Sequence, residues 1–267
     1  MSKTILITGS TDGIGKQTAI EFAKHGESVI IHGGNEKRVG DTLSEIRNLV
    51  PGAQLSGYTA DLSSLKQTLA FSEQLNRDFQ KIDILFNNAA VFAHEFEQTE
   101  DGYELCFQVN HLSHNLLTLK VMNLLQAGTE SRVVNVSSMI HAASIDFDKL
   151  QTAEKYNGSQ TYALTKLCNI LFTNKLEREF GGKGVRFYAL HPGVIETKLL
   201  NSAWSGGMPV SEGAKNMIYA GTAPALATLS GVYVESGRPV QSNPITYNTE
   251  AQDTLWNMSL DMLKNYL

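Results

Sequence analysis

Thr4-Ile5-Leu6-Ile7-Thr8-Gly9-Ser10-Thr11-Asp12-Gly13-Ile14-Gly15 is the stretch that decides the fold. Its apolar, β-branched start reads as a strand over Thr4–Thr8, which runs without a break into a glycine-rich turn and then a helical pattern over Lys16–His25. Glycines permit a tight turn and close backbone approach, and the exposed N–H groups at a helix start attract a pyrophosphate. On this reading Gly9, Ser10, Thr11, Asp12, Gly13, Ile14 and Gly15 form a dinucleotide cradle. A nucleoside triphosphate loop is disfavoured, because Lys16 lies one position too far from Gly9 and Gln17 stands where that loop needs Ser or Thr.

Outward from the turn, short apolar runs alternate with longer helical patterns. Ser28–His32, Leu55–Thr59, Ile82–Asn87, Arg132–Ser137, Val185–Leu190 and Gly231–Val234 read as further strands. Glu36–Leu49, Leu65–Phe79, Gly102–Leu125 and Gln160–Phe180 read as helices. Such alternation predicts an α/β chain: one doubly wound Rossmann domain over 1–267, with a parallel sheet of about seven strands covered by helices on both faces. After His191-Pro192-Gly193 the rhythm breaks. The stretch 194–225, rich in glycine, serine and threonine, is expected to be an irregular flap facing the substrate, since ligands bind beyond the carboxyl ends of parallel strands.

Composition narrows the function. The net charge of −5 and the absence of a Lys/Arg cluster argue against a nucleic-acid partner. The only cysteines, Cys106 and Cys168, have neither metal-ligand spacing nor the density of a disulfide scaffold. No apolar run approaches the ~20 residues of a membrane span, and the chain opens directly on a strand, so a soluble cytoplasmic protein without membrane contact is expected. His111, His114, His141 and His191 show no ligand spacing, and no metal is expected.

Tyr162 and Lys166 lie four residues apart, on one face of the helix over Gln160–Phe180. An ammonium beside a phenol favours the phenolate, moving a group that titrates near ~10 toward neutral pH, where it can exchange protons with a substrate. Alone, such a pair is commonplace on a solvated helix. Its position downstream of the glycine turn gives it weight.

Taken together, Thr-Gly-x-x-x-Gly-x-Gly at 8–15, Asn87-Asn88-Ala89-Ala90, Asn110, Ser137-Ser138, Tyr162-x-x-x-Lys166 and Pro192-Gly193 resemble the short-chain dehydrogenase/reductase family over nearly the whole chain. Val133–Ser138, Asp148-Lys149-Leu150, Leu167-Cys168-Asn169-Ile170-Leu171-Phe172 and Leu255-Trp256 look like its retinol dehydrogenase/WW-domain oxidoreductase branch, which shares the long Ser-to-Tyr interval. The resemblance implies a proton exchanged by Tyr162, ribose contacts and phenol activation by Lys166, and a substrate-oxygen contact from Ser138. It also implies a carbonyl at Asn110 freed to position a water. The family pattern favours Ser138 over Ser137. By the same resemblance Asp61 and Leu62 would touch adenine, although Asp61 or Ser63 capping the next helix explains that pair equally well. Asn88, Ala89, Ala90, Pro192, Gly193, Val194 and Thr197 would line the dinucleotide site, with Ala90 replacing the family's usual glycine.

NAD-selective folds place an acid at the end of the second strand to hold the ribose 2′-hydroxyl. Here His32-Gly33-Gly34-Asn35 is followed by Glu36 and then Lys37-Arg38, which favours NADP(H) over the possible NAD(H) through cation recruitment of a 2′-phosphate. Gly34 stands where relatives using NADP often carry arginine. The expected activity is hydride transfer between NADP(H) and a small carbonyl or alcohol. A non-catalytic dinucleotide-binding regulator and a C=C reductase or epimerase on the same fold are the rival readings. The resemblance also suggests a homodimer or homotetramer built on the helices of Gly102–Leu125 and Gln160–Phe180.

Overall fold

The computed structural model describes residues 2–147 and 150–267, so Asp148 and Lys149 of the Asp148-Lys149-Leu150 motif lie outside the described residues. Strands and helices alternate through β1 (Thr4–Ile7), α1 (Gly13–Lys24), β2 (Ser28–Gly33), α2 (Glu36–Leu49), β3 (Leu55–Thr59), α3 (Leu65–Asp78) and β4 (Ile84–Asn87). Then come α4 (Leu105–Phe107), a π-helical turn (Gln108–Leu112), α5 (Ser113–Lys120), α6 (Met122–Gln126), β5 (Ser131–Val136) and α7 (Gly158–Phe180). The chain finishes with β6 (Val185–His191), α8 (Lys198–Ala203), α9 (Val210–Thr222), β7 (Val232–Glu235), β8 (Arg238–Val240) and α10 (Thr249–Leu263).

All these strands join one sheet in the order β3-β2-β1-β4-β5-β6-β7-β8, parallel except for β8. Alternation along each strand feeds two apolar layers. Ile5, Ile7, Val29 and Ile31 pack with Phe22, Val39 and Met217 of α1, α2 and α9. Leu6, Ile30 and Val133 pack on the other face with Phe71, Leu117 and Phe172 of α3, α5 and α7. The doubly wound parallel sheet is therefore as expected, with eight strands in place of about seven. The additional β8 is three residues long and contains Pro239, which an edge strand tolerates. Ser236 and Gly237, both at positive φ, make the two-residue hairpin that leads into it.

Two expected stretches differ in form. Gly102–Leu125, read as one helix, is broken by the π-helical turn around Asn110, where one extra residue enters the helical ladder. The segment 194–225, read as irregular, holds α8 and α9. Small residues in α9 reflect close packing and not irregularity. A Cβ on Gly213 would come within 2.9 Å of Ile14 Cγ1, and one on Gly221 within 2.6 Å of Phe86 Cζ.

The helices expected to meet another copy of the chain are covered in part by α10. Trp256 stacks on Phe172 of α7 at 6.2 Å, His111 Nε2 lies 3.3 Å from Ser259 Oγ, and Lys175 and Arg178 both reach Asp253 at 2.8 Å. Leu255 and Leu263 are buried beside Leu167 and Leu171. Among the described residues no helix is long and apolar enough to cross a membrane. Because Leu255 is fully enclosed, Leu255→Ala should lower unfolding free energy by about 2–5 kcal/mol in a urea titration. An unchanged midpoint would mean that α10 is not part of the cooperative unit.

Candidate active site

The strand order reverses between β1 and β4, so their following loops diverge and leave a crevice at the carboxyl end of the sheet. Glycine is needed there on steric grounds. Gly9 has φ +64°, and a Cβ on it would lie 2.9 Å from Ala89 Cα, while a Cβ on Gly15 would lie 2.4 Å from the Gly9 carbonyl oxygen. Thr8 joins the two loops: its Oγ1 accepts from the N–H groups of Asn88 at 2.9 Å and Ala89 at 3.0 Å. Asn88 Nδ2 donates back to the Thr8 carbonyl at 2.8 Å.

The crevice is a groove of about 560 Å3. Gly9, Thr11, Asp12, Gly13, Ile14 and Gly15 form its floor at the start of α1, and Gly34 and Arg38 line its far end. Asp61, Leu62, Asn88, Ala89, Ala90 and Thr197 complete the walls. Ser10 is turned away from the groove. Its Oγ donates to the Ile7 carbonyl at 2.8 Å and accepts from His32 N–H at 2.9 Å, because the tight turn leaves that side chain pointing into the protein. Asn35 and Lys37 also lie off the groove: Asn35 caps α2 by accepting from Arg38 N–H at 3.1 Å, and Lys37 pairs with Asp41 at 2.7 Å. The Asp61 carboxylate accepts from the Ser63 N–H and hydroxyl at 2.9 and 2.8 Å, so it stabilises the turn into α3 while facing the groove.

A second cavity, of about 320 Å3, adjoins the groove and shares Ile14, Asn88, Ala90, Thr197 and Leu199 with it. Ser138, Tyr162, Lys166, Pro192, Gly193 and Val194 all line this cavity. The two serines separate as strand alternation requires. Ser137 Oγ is buried and donates to the Lys166 carbonyl at 2.7 Å, whereas Ser138 Oγ accepts only the Ile140 N–H, at 3.3 Å, among the described residues. Lys166 Nζ donates to the Val136 carbonyl at 3.1 Å and sits 5.2 Å from the Tyr162 ring centroid.

Burial controls the charges of this pair. It raises the Tyr162 phenol above its ordinary value, with the Cys106 thiol a smaller contribution in the same direction, and it pushes Lys166 down to about 8. The depressed phenol expected from a neighbouring ammonium is not what the geometry yields. Lys166 faces the ring and spends a hydrogen bond on Val136, and its own charge is costly in the dry site. Asn110 lies in the π-helical turn with its side chain clamped to Val91, accepting at 2.8 Å and donating at 3.0 Å. Its carbonyl, expected to be free for a water, is 3.3 Å from His114 Nδ1.

Several side chains that shape the site gave no sequence signal. Trp204 lies 5.4 Å from Phe92 and 5.9 Å from Tyr162, ring centre to ring centre, and walls the smaller cavity. It sits in the aperiodic stretch after Gly193, and nothing short of the folded loop could place it. His141 holds the turn at Ser138 by donating from Nδ1 to the Ser138 carbonyl at 2.8 Å, while its Nε2 accepts the Asn243 N–H at 3.1 Å. His32 ties the glycine turn to β3: its Nδ1 accepts from Gly9 N–H at 3.2 Å and its Nε2 donates to the Ala60 carbonyl at 3.1 Å. Among the described residues no His, Cys, Asp or Glu cluster could hold a metal ion.

The family model for short chain dehydrogenase matches residues 3–206. Retinol dehydrogenase 12 of Homo sapiens is 35% identical, covering 98% of this chain and 86% of that protein. Retinol dehydrogenase 13 of Mus musculus is 36% identical, covering 96% of this chain and 82% of that protein. A solved structure of an uncharacterized protein from Mycobacterium Paratuberculosis superposes with a TM-score of 0.81 at 28% identity, covering 98% of this chain and 93% of that one.

The site rests on three buried neutral histidines. Burial pushes His32 and His111 down to about 4 and His114 to about 3, from an ordinary 6.5. Above pH 6.5 both folded and unfolded chains hold them neutral. Below it the unfolded chain takes up protons that the folded chain refuses, so stability present above 6.5 is lost as pH falls toward 4. The loss should reach roughly 3 kcal/mol or more per histidine once protonation is complete. Equal urea midpoints at pH 7.5 and 4.5 would contradict this.

Proposed function

The chain belongs to the short-chain dehydrogenase family, and we propose that it is an oxidoreductase moving a hydride between NADP(H) and a carbonyl or alcohol substrate, with Tyr162 as the acid/base. The observation that carries this reading is the continuity of the two cavities. Tyr162, Ser138 and Lys166 open into a pocket that runs directly into the glycine-floored groove.

The residues present fit a nicotinamide dinucleotide. A Cβ at Gly9 or Gly15 would collide with backbone, so the floor stays bare for the close approach of a pyrophosphate, at the N-terminus of α1. When bound, that group supplies or accepts the hydride. Tyr162 donates its proton to the carbonyl oxygen. Burial keeps the phenol in its protonated form, the form that can donate. Ser138 Oγ donates to the same oxygen and stabilises charge developing on it. Lys166, held by the Val136 carbonyl, would hold the ribose hydroxyls of that group. Asn110 braces the π-helical turn against Val91 and Thr165. The apolar wall of Met139, Ile140, Leu200 and Trp204 favours a substrate with an uncharged body.

Arg38 carries the cofactor preference. It lines the groove, whereas Lys37 is engaged with Asp41. Gly34 has room, since a Cβ there meets nothing nearer than 3.8 Å, while one on Gly33 would lie 2.6 Å from Thr11 Cγ2. Gly34→Asp is therefore the substitution that should shift preference from NADPH toward NADH, by about ten- to hundredfold, in a fluorescence titration of both cofactors. Tighter NADH than NADPH binding by the parent protein would overturn the NADP assignment.

Tyr162→Phe should reduce turnover of a carbonyl panel by ~10²-fold or more with little change in NADPH affinity. Turnover at the parent rate would remove Tyr162 from the acid role. Reductive kcat/KM should fall as pH rises through about 8, where Lys166 gives up its proton. A rate still flat to pH ~10 would mean that the Lys166 charge is not needed.

A further inference from the structure

The glycine turn contains an apparent contradiction: a carboxylate at the place where a pyrophosphate should bind. Asp12 caps α1, its Oδ1 accepting the Gly13 N–H at 2.8 Å, and it lines the groove at the positive end of that helix. An unpaired aspartate there would repel the anion that the helix end attracts. The structure supplies the compensation from the distant segment after Gly193. Lys198 Nζ lies 2.5 Å from Asp12 Oδ2, on the lip of the same groove.

We propose that Lys198 is a positioning residue of the dinucleotide groove, whose ion pair with Asp12 cancels the carboxylate's repulsion of a pyrophosphate and holds segment 194–208 at the lip of the groove. This rests on the dinucleotide reading above and adds to it a residue that the family pattern does not supply.

Three features support it. The Lys198 side chain is 87% exposed, so its ion pair adds little to folding and its ammonium stays open to a ligand in the groove. The neighbouring cation on α1, Lys16, is engaged with Glu45 at 3.1 Å. The lysine is also aimed by its backbone. Glu196 N–H donates to the Met208 carbonyl at 2.9 Å and Met208 N–H to the Val194 carbonyl at 2.8 Å, which closes the loop at its base. Thr197 then caps α8 through Leu200 N–H at 3.1 Å and lies against Gly13. Thr197 and Leu199 line both cavities, so a loop secured at Asp12 also settles the wall of the catalytic pocket.

The test is a binding titration of NADPH and of NADH at low and high salt, with Lys198→Met, Asp12→Asn and the double variant. Asn caps a helix as well as Asp does, so the second substitution removes charge without removing the cap. Lys198→Met should weaken both cofactors about tenfold at low salt, with a smaller effect at high salt. Asp12→Asn should bind at least as tightly as the parent, and the double variant should recover to within about threefold of it, because the repelling carboxylate is gone. Parent-like binding by Lys198→Met would overturn the proposal, as would a double variant no tighter than Lys198→Met alone. Loss of affinity in Asp12→Asn would also overturn it, since that outcome would mean a mechanical clasp with no charge compensation. A parent protein that binds neither cofactor would bring down the dinucleotide reading itself, a result distinct from the other three.

Discussion

The structure depends on the close approach of two loops at the point where the strand order reverses. Gly9 lies against the backbone of Ala89, Gly15 lies against the carbonyl of Gly9, and the Thr8 hydroxyl takes the N–H groups of Asn88 and Ala89. A side chain at either glycine would push β1 and β4 apart at their carboxyl ends. The same contact sets the direction in which α1 leaves the sheet, and with it the aim of the helix end into the groove. Ser10 and His32 buttress the turn from beneath, with the Ser10 hydroxyl turned into the protein and away from the groove.

Desolvation governs the electrostatics built on that frame. Tyr162 and Lys166 are both driven toward their neutral forms, and so are the three buried histidines. Each histidine still has its partners, such as Thr8 Oγ1 at 2.9 Å for His114 Nε2, so the neutral tautomers act as rigid struts and not as proton carriers. Burial of this kind strengthens any dipole aimed at a reacting oxygen. It also makes the arrangement sensitive to pH at positions remote from the chemistry.

The segment between Gly193 and α9 couples the two cavities. Its base is fixed by the paired backbones of Glu196 and Met208, Lys198 meets the glycine turn, and Trp204 meets Phe92 and Tyr162. The groove and the smaller cavity therefore share a wall that belongs to one short stretch of chain. The helix α9 that follows is a different kind of element, a structural layer pressed against α1 and the sheet.

The sequence alone determined the parallel α/β scaffold, the glycine turn, and the pairing of Tyr162 with Lys166, because each is written in local spacing: period two in strands, four along a helix, glycine where a turn tightens. Asn110 and Ser138 were legible only through the resemblance to the short-chain dehydrogenase/reductase family, whose pattern favoured Ser138 over Ser137, and strand alternation explains why the two serines then face different ways. Only the tertiary structure decided what depends on contacts between distant segments. The Asp12–Lys198 pair joins residues 186 positions apart, Trp204 reaches Phe92 across the pocket, and α10 comes from the far end of the chain to cover α7. It also decided the sign of the Tyr162 shift. Spacing places an ammonium near a phenol, but which way the pair titrates depends on how much water surrounds it, and that is set by the packing of the whole domain.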